Sequence, residues 1–185
     1  MLDSRKLLFA FAAGAGVALL LCAAVGAAIT EFGLFDVAAS TSHTWLARLL
    51  THRTMIASVR RQSDVDHINI SDAAVKHGLC SYEVHCTACH GSPGTARAPW
   101  ANGLNPTPPY LIDARERWTP SELHWIVSNG IKMTAMPAWK ASLPDQQVWE
   151  LVAAVELLPR LKPATYKSWV ASNCGEGRVA WQRGN

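Results

Sequence analysis

The chain is poor in charged residues, and this deficit limits what it can be. Its 185 residues include 17% charged side chains, against about 25% in an average soluble domain, while 49% are hydrophobic. The formal net charge is +3 without a basic stripe, so we expect no nucleic-acid partner. Five cysteines are too few for a disulfide scaffold, so their spacing matters more than their number. The length suits one folded domain with an appendage.

The longest uncharged run lies near the amino end. Leu7 to Ile29 gives 23 residues without a charge, preceded by Arg5 and Lys6 and followed by Glu31. A helix of this length extends about 35 Å, enough to cross the ~30 Å hydrocarbon core of a bilayer. Basic residues on the amino side favour a cytoplasmic amino end. We therefore predict a single-pass anchor over residues 1–30 in the inner (cytoplasmic) membrane, with the remainder in the periplasm.

A cleaved signal peptide is the alternative interpretation of this run, because Val25-Gly26-Ala27 resembles a small-residue cleavage site. The run is longer than the ~7 to 15 residues of a signal-peptide core, which favours an uncleaved anchor. A lipid anchor at Cys22 is disfavoured because bulky Leu21 precedes it, so Cys22 is interpreted as an apolar side chain. The predicted compartment is the same in either case.

A linker and an amphipathic helix are predicted next, over residues 31–71. Residues 31–41 indicate the linker, and residues 42–61 place apolar side chains at helical spacing: Trp45, Leu46, Leu49, Leu50 and Ile56. We expect this apolar face to pack on the domain that follows. Docking on a membrane partner, with Trp45 at the bilayer surface, is the alternative. Residues 62–71 predict a polar connection.

The rest of the chain carries helix signals and no alternating strand pattern, so the fold class is predicted to be all-α. Glycine and proline over residues 91–118 exclude long regular structure and predict an ordered loop. The folded domain is assigned to residues 72–162, and residues 163–185 are predicted to be a C-terminal tail. The predicted helices run from the Ser71 cap to Cys86, from the Thr119–Glu122 capping box to Gly130, and from Pro144 to Leu158.

One short motif carries the chemistry. Cys86-Thr87-Ala88-Cys89-His90 is a C-x-x-C-H run, the attachment signature of a c-type haem. Two thiols three residues apart lie on one side of a helical turn and can bond two vinyl groups on one porphyrin edge, while His90 offers a nitrogen to the iron. A structural zinc site would need a second cysteine or histidine pair, and a redox dithiol would need a βαβ context. We predict one covalently attached haem c.

The sixth iron ligand separates electron carriers from haems that bind gases or peroxide. Methionine is the ligand of a carrier, and the chain has four methionines. Met136, with Pro137 stiffening the chain after it, is the predicted ligand, and Met133 is the fallback. Trp139 is predicted to lie against the haem, with an ordinary core contact as the alternative.

Beyond the haem motif, the pattern resembles class I c-type cytochromes. Gly78-x-x-x-Tyr82-x-x-x-Cys86 matches that family's first helix, in which the glycine permits a close crossing by the last helix. The crossing partner would be Leu151-Val152-Ala153-Ala154, although Ala154 stands where many members carry an aromatic residue. Pro109-Tyr110-Leu111 resembles the family's Pro-x-Leu, which implies that the Pro109 carbonyl accepts a hydrogen bond from His90 and that Pro109 and Tyr110 belong to the haem site.

Three longer segments, DVAASTSH, GLNPTPPYL and GIKMTAMPAW, resemble a group of bacterial membrane-anchored monohaem cytochromes. This resemblance implies an electron carrier between respiratory redox proteins. No acid, base or nucleophile constellation points to an enzyme. An electron-transfer subunit of a larger dehydrogenase or terminal oxidase is the close alternative. A haem-based sensor, a peroxidase and an assembly protein with a structural haem are more distant ones.

The sequence leaves open a disulfide and the role of three basic residues, and it predicts the position of one further histidine. Cys80 and Cys174 remain after the haem cysteines, and an oxidising compartment would permit them to form a disulfide. Arg97, Lys132 and Lys140 flank the predicted haem segments and could form a docking rim for an acidic partner, or be scattered solvated charges. His85 is predicted to lie at the surface or the haem edge.

Overall fold

The computed structural model describes residues 4–63, 70–113 and 118–175. Within these segments all regular structure is helical, and no strand is present, which confirms the predicted all-α class. Most of the predicted polar connection at 62–71 and the end of the predicted tail lie outside the described residues. The chain divides into two compact units, residues 1–41 and residues 42–185.

The first unit consists of one apolar helix and a short extension. Helix α1 (Ser4–Glu31) has 28 residues and is long and apolar enough to cross a membrane, although a signal sequence near the amino terminus meets the same criterion. After α1 the chain turns twice: Leu34 N donates to the Ile29 carbonyl at 3.1 Å, and Ala38 N donates to Asp36 Oδ1 at 2.8 Å. This non-helical segment corresponds to the predicted linker.

The second unit contains six α-helices among its described residues, joined by short 3-10 turns. Helix α4 continues almost directly from α3, and the 3-10 turns occupy the glycine- and proline-rich loop and two connections near the carboxyl end. The helices are α2 (Trp45–Gln62), α3 (Asp72–His85), α4 (Thr87–His90), α5 (Pro120–Asn129), α6 (Asp145–Leu157) and α7 (Pro163–Asn173). The 3-10 turns are Pro99–Gly103, Leu111–Asp113, Trp139–Ala141 and Leu158–Arg160.

The predicted helix starts are confirmed at α3 and α5. The Ser71 hydroxyl accepts from Ala74 N at 3.3 Å and caps α3. At α5 the capping box is complete, because Glu122 N donates to Thr119 Oγ1 at 3.3 Å and Thr119 N donates to Glu122 Oε2 at 2.8 Å. Satisfying both orphan amides fixes the start of α5.

Helices α3 and α6 cross at Gly78, and this crossing forms the centre of the core. A Cβ atom at Gly78 would lie 2.0 Å from the Glu150 carbonyl oxygen and 3.2 Å from Ala154 Cβ. Only a glycine permits this approach, so the glycine-mediated crossing implied by the resemblance is present. Tyr82 and Trp149 are the largest fully buried side chains of the unit and belong to the core cluster around it.

Helix α7 was not predicted from the sequence, which assigned residues 163–185 to a tail. Tyr166 and Val170 of α7 are buried in the core, and the Tyr166 hydroxyl donates to Glu83 Oε2 at 2.8 Å. A disulfide joins Cys80 in α3 to Cys174 immediately after α7. The first part of the predicted tail therefore belongs to the folded unit.

Helix α2 packs on the domain over its carboxyl-terminal half only. Val59 is 1% exposed, and Arg60 lies 3.6 Å from Glu122 of α5. The amino-terminal half instead leaves Trp45, Leu46, Leu49 and Leu50 exposed. The expectation that the whole apolar face packs on the domain is therefore wrong for this half, because the contacts with α5 lie near the other end of the helix.

Candidate haem site

The C-x-x-C-H residues form a tight turn at the end of α3. Cys86 N donates to the Tyr82 carbonyl at 2.9 Å, and His90 N donates to the Cys86 carbonyl at 2.8 Å, so the two cysteines lie on consecutive parts of one helical turn. Cys86 and Cys89 are both unpaired, whereas Cys80 forms the disulfide with Cys174. Two free thiols at this spacing are suited to thioether bonds with one edge of a porphyrin.

Burial keeps both of these thiols protonated at neutral pH. It raises the pKa of Cys86 to about 12, with the nearby Cys89 thiol adding to the effect. Burial also raises the pKa of Cys89, although the charge of Arg97 opposes that shift. Protonated thiols are poor nucleophiles, which is unlike the activated cysteine of a thiol enzyme.

The orientation of His90 is set by a backbone carbonyl. His90 Nδ1 lies 2.7 Å from the Pro109 carbonyl oxygen, and because a carbonyl can only accept, Nδ1 must carry the proton and donate. The lone pair is then on Nε2, the atom left to bind a metal. Burial lowers the pKa of His90, outweighing the opposing effect of the Pro109 hydrogen bond, so the ring is neutral at physiological pH.

The loop after His90 folds back onto the motif through three contacts. The buried Tyr82 hydroxyl donates to the Gly91 carbonyl at 2.6 Å, and Ala98 N donates to the Ala88 carbonyl at 2.9 Å. The Tyr110 ring packs close to Gly91, where a Cβ atom would lie 3.0 Å from Tyr110 Cε1. These contacts bring the Pro109-Tyr110 segment to the histidine from twenty residues away in sequence.

Arg97 lies inside this loop and not on a docking rim. It is 8% exposed, its guanidinium lies 4.1 Å above the centroid of the Tyr110 ring, and it donates through Nη1 to the Pro108 carbonyl. Its Nε is buried and has no hydrogen-bond partner among the described residues. The interpretation of Arg97 as a surface charge is wrong, because the fold of the loop buries its guanidinium against the Tyr110 ring. Lys132 is exposed, and Lys140 donates to Asn129.

Met136 lies in a short loop that closes on itself. The Thr134 hydroxyl donates to the Ile131 carbonyl at 2.8 Å and accepts from Met136 N at 3.1 Å, and Ile131 N donates to the Met136 carbonyl at 3.3 Å. Met136 is half-buried, whereas Met133 is 91% exposed. The sequence analysis did not single out Thr134. Its position two residues before a candidate ligand was the only available signal.

Trp139 connects the Met136 loop to the haem motif. Its ring packs against the His85 ring at a centroid distance of 4.9 Å, and His85 immediately precedes Cys86. His85 is half-buried, and its burial lowers its pKa. The predicted site residues therefore fall into two groups, which this contact links through His85, the residue next to Cys86. Cys86, Cys89, His90, Pro109 and Tyr110 form one group, and Met136 and Trp139 form the other.

The side chains present fit a covalently bound haem. Two free thiols can carry the porphyrin, a neutral histidine presents Nε2, and a half-buried methionine lies in a loop joined to the motif. The buried guanidinium of Arg97 has an unsatisfied donor, which suits the carboxylates that a haem carries. A buried cation without such a partner would be costly.

Fold and site both resemble those of a c-type cytochrome domain. Residues 73–153, from the first turn of α3 to the middle of α6, match the family described as cytochrome c oxidase, cbb3-type, subunit III. The match includes the C-x-x-C-H motif, Pro109 and Met136, and it implies haem as the cofactor and electron transfer as the role. No curated protein matches the chain.

Proposed function

We propose that the protein is a membrane-anchored, periplasmic monohaem cytochrome c that passes single electrons between respiratory redox proteins. The observation that carries this proposal is the single C-x-x-C-H turn whose His90 donates through Nδ1 to the Pro109 carbonyl. That hydrogen bond leaves the lone pair on Nε2, the atom that would bind a haem iron. Met136 would be the second protein ligand of that iron, which would leave no open position for a substrate.

Each site residue has a distinct task in this proposal. A bound haem supplies reversible one-electron chemistry at its iron. Cys86 and Cys89 would hold it covalently, and His90 and Met136 would bind its iron. Pro109 orients the histidine, while Tyr110 and Trp139 pack around the cofactor and exclude water. Methionine ligation and an apolar surround both favour the reduced state, so we expect a higher potential than that of a bis-histidine haem.

Helix α1 supplies the membrane anchor in this proposal. Its length and composition support a span, and Arg5 and Lys6 at its amino end favour an orientation with the haem domain outside the cytoplasm. The intact mass of the protein purified from membranes tests this directly. A mass that includes residues 1–30 supports an anchor, and a mass lacking them indicates a cleaved signal peptide.

The experiment that tests the haem assignment is expression with a c-type haem maturation system, followed by denaturing electrophoresis and haem staining. The native chain should retain haem through denaturation, and Cys86→Ala with Cys89→Ala should lose it. Cys22→Ala is the matched control and should stain like the native chain, because Cys22 lies in α1. Haem retained by the double variant would contradict thioether attachment.

A second candidate function is that of an electron-transfer subunit in an oxidase complex. The description of the matching family, a subunit of a cbb3-type oxidase, favours it. In that case the protein passes electrons within a stable assembly and not between separate partners. Purification in mild detergent separates the two proposals, because a subunit co-purifies with other haem or copper chains in fixed proportion and a free carrier does not.

A further inference from the structure

The amino-terminal half of α2 exposes a cluster of large apolar side chains. Trp45 is 75% exposed, Leu46 48%, Leu49 39% and Leu50 56%. Positions i, i+1, i+4 and i+5 of a helix lie on one side, so the four form a contiguous surface, which we call the α2 amino-terminal surface. Single exposed leucines are ordinary, but a contiguous apolar patch on a folded unit marks an interaction site.

The charge of α2 indicates what covers this surface. The helix contains no acidic residue, and Arg48 and Arg53 are exposed beside the apolar cluster. An apolar side that includes a tryptophan, combined with flanking arginines, suits the boundary of an anionic bilayer, where arginines reach the headgroups and apolar side chains enter the acyl boundary. Arginines near an anionic bilayer strengthen binding through electrostatic attraction to the headgroups.

The short connection to α1 provides the second argument. Only residues 32–44 separate the two helices, and a chain of that length reaches at most about 45 Å even when fully extended. This connection is itself apolar, with Phe32, Leu34 and Phe35 each more than half exposed. If α1 spans the membrane, the start of α2 is held at a high effective concentration beside the bilayer.

We propose that the α2 amino-terminal surface lies on the periplasmic face of the membrane. Trp45, Leu46, Leu49 and Leu50 enter the interface, and Arg48 and Arg53 contact anionic headgroups. The protein is then attached at two points, a span and an interfacial helix, which restricts rotation of the haem domain about its tether. The proposal rests on the proposed anchor role of α1.

Lipid photolabelling of the full-length holoprotein tests this proposal. The protein is reconstituted in nanodiscs of phosphatidylcholine, with or without phosphatidylglycerol, that contain a lipid with a diazirine in its acyl chain. Labelled peptides are then located by mass spectrometry. Residues 45–53 should be labelled, and more strongly with phosphatidylglycerol. The loop that carries Trp100, which is 61% exposed, should remain unlabelled as an internal control for an exposed aromatic side chain.

Matched variants sharpen the result. Leu46→Ser with Leu50→Ser should abolish labelling of residues 45–53, and Trp100→Ser should leave it unchanged. Arg48→Gln with Arg53→Gln should lose the gain given by phosphatidylglycerol. All five side chains are exposed, so each variant should fold and retain its haem spectrum.

Two results would overturn the proposal while leaving the anchor intact. In the first, α1 is labelled but residues 45–53 are labelled no more than the Trp100 loop. In the second, a photoreactive residue placed at position 45 cross-links to a protein in native membranes. The second result would assign the surface to a protein partner. An unlabelled or missing α1 would overturn both the anchor and this proposal. The haem spectrum of the same sample tests the cytochrome assignment independently.

Discussion

At the level of single residues, Arg97 is where the structure differs most from the sequence prediction, because it was predicted at the surface and is buried. Its guanidinium is buried between Tyr110 and the Pro108 carbonyl, close enough to Cys89 and His90 to affect their titration. A positive charge held there disfavours the additional charge of oxidised iron, and it suits a haem carboxylate. Arg97 should therefore raise the reduction potential.

We expect Arg97→Met to lower the midpoint potential by about 60 mV, which corresponds to roughly 1.4 kcal/mol for one electron. Methionine fills much of the volume without the charge, and spectroelectrochemical titration measures the shift. Lys132→Met is the matched control, because it removes the same charge from an exposed position and should shift the potential far less. Equal potentials for Arg97→Met and the native protein would show that Arg97 does not act on the haem.

Thr134 is the residue that fixes the loop around the proposed sixth ligand. Its hydroxyl bonds to both Ile131 and Met136, so Thr134→Val removes both bonds while keeping the shape of the side chain. We expect this variant to weaken methionine ligation, and carbon monoxide binding to the reduced protein should become detectable. Thr134→Ser keeps the hydroxyl and should behave like the native protein. Identical behaviour of the valine variant and the native protein would contradict this positioning role.

At the level of elements, the crossing of α3 and α6 leaves no room for a side chain at Gly78. A methyl group at Gly78 would overlap the Glu150 carbonyl, which is backbone and cannot move aside. We expect Gly78→Ala to lower the free energy of unfolding by about 3 kcal/mol, measured by denaturant titration of the holoprotein. Gly103→Ala is the control, because nothing lies within 4 Å of a Cβ atom there. Equal loss in both variants would contradict the account of the crossing.

The disulfide between α3 and the end of α7 should stabilise the fold by restricting the unfolded chain. The two cysteines are 94 residues apart, and a loop of that size corresponds to roughly 4.7 kcal/mol of loop-closure entropy. We expect Cys80→Ser with Cys174→Ser to lower the free energy of unfolding by about that amount, with the haem spectrum unchanged. Treating the native protein with a thiol reductant should reproduce the effect, because thioethers resist it. Unchanged stability in both experiments would show that the disulfide is absent from the folded protein.

Some helices of this protein can be predicted from the sequence and others cannot, for physical reasons. The starts of helices α3 and α5 can be predicted from the local sequence, through Ser71, Thr119 and Glu122, because capping uses side chains next to the helix start. Helix α7 has no side-chain cap, since Lys162 precedes it, and its local start signal is Pro163 at the first helical position. Its place in the core depends on long-range contacts such as that of Tyr166 with Glu83, which a local pattern does not encode.

At the level of the whole molecule, features encoded by neighbouring residues could be predicted from the sequence, and features that depend on long-range folding could not. The attachment turn occupies the consecutive residues Cys86 to His90, so its chemistry could be predicted from the sequence. The burial of Arg97 could not, because it depends on how the loop over residues 91–118 folds back onto the motif. The exposed start of α2 likewise depends on which part of that helix meets α5.

The central proposal is that His90 and Met136 would both bind the iron of a single haem, and optical spectroscopy with carbon monoxide tests it most directly. The oxidised native protein should show the weak near-infrared band of a methionine–iron bond, and the reduced form should not bind carbon monoxide. Met136→Ala should lose the band and bind the gas, while Met133→Ala should match the native protein. Rapid binding of carbon monoxide by the native protein, unchanged in Met136→Ala, would contradict the account.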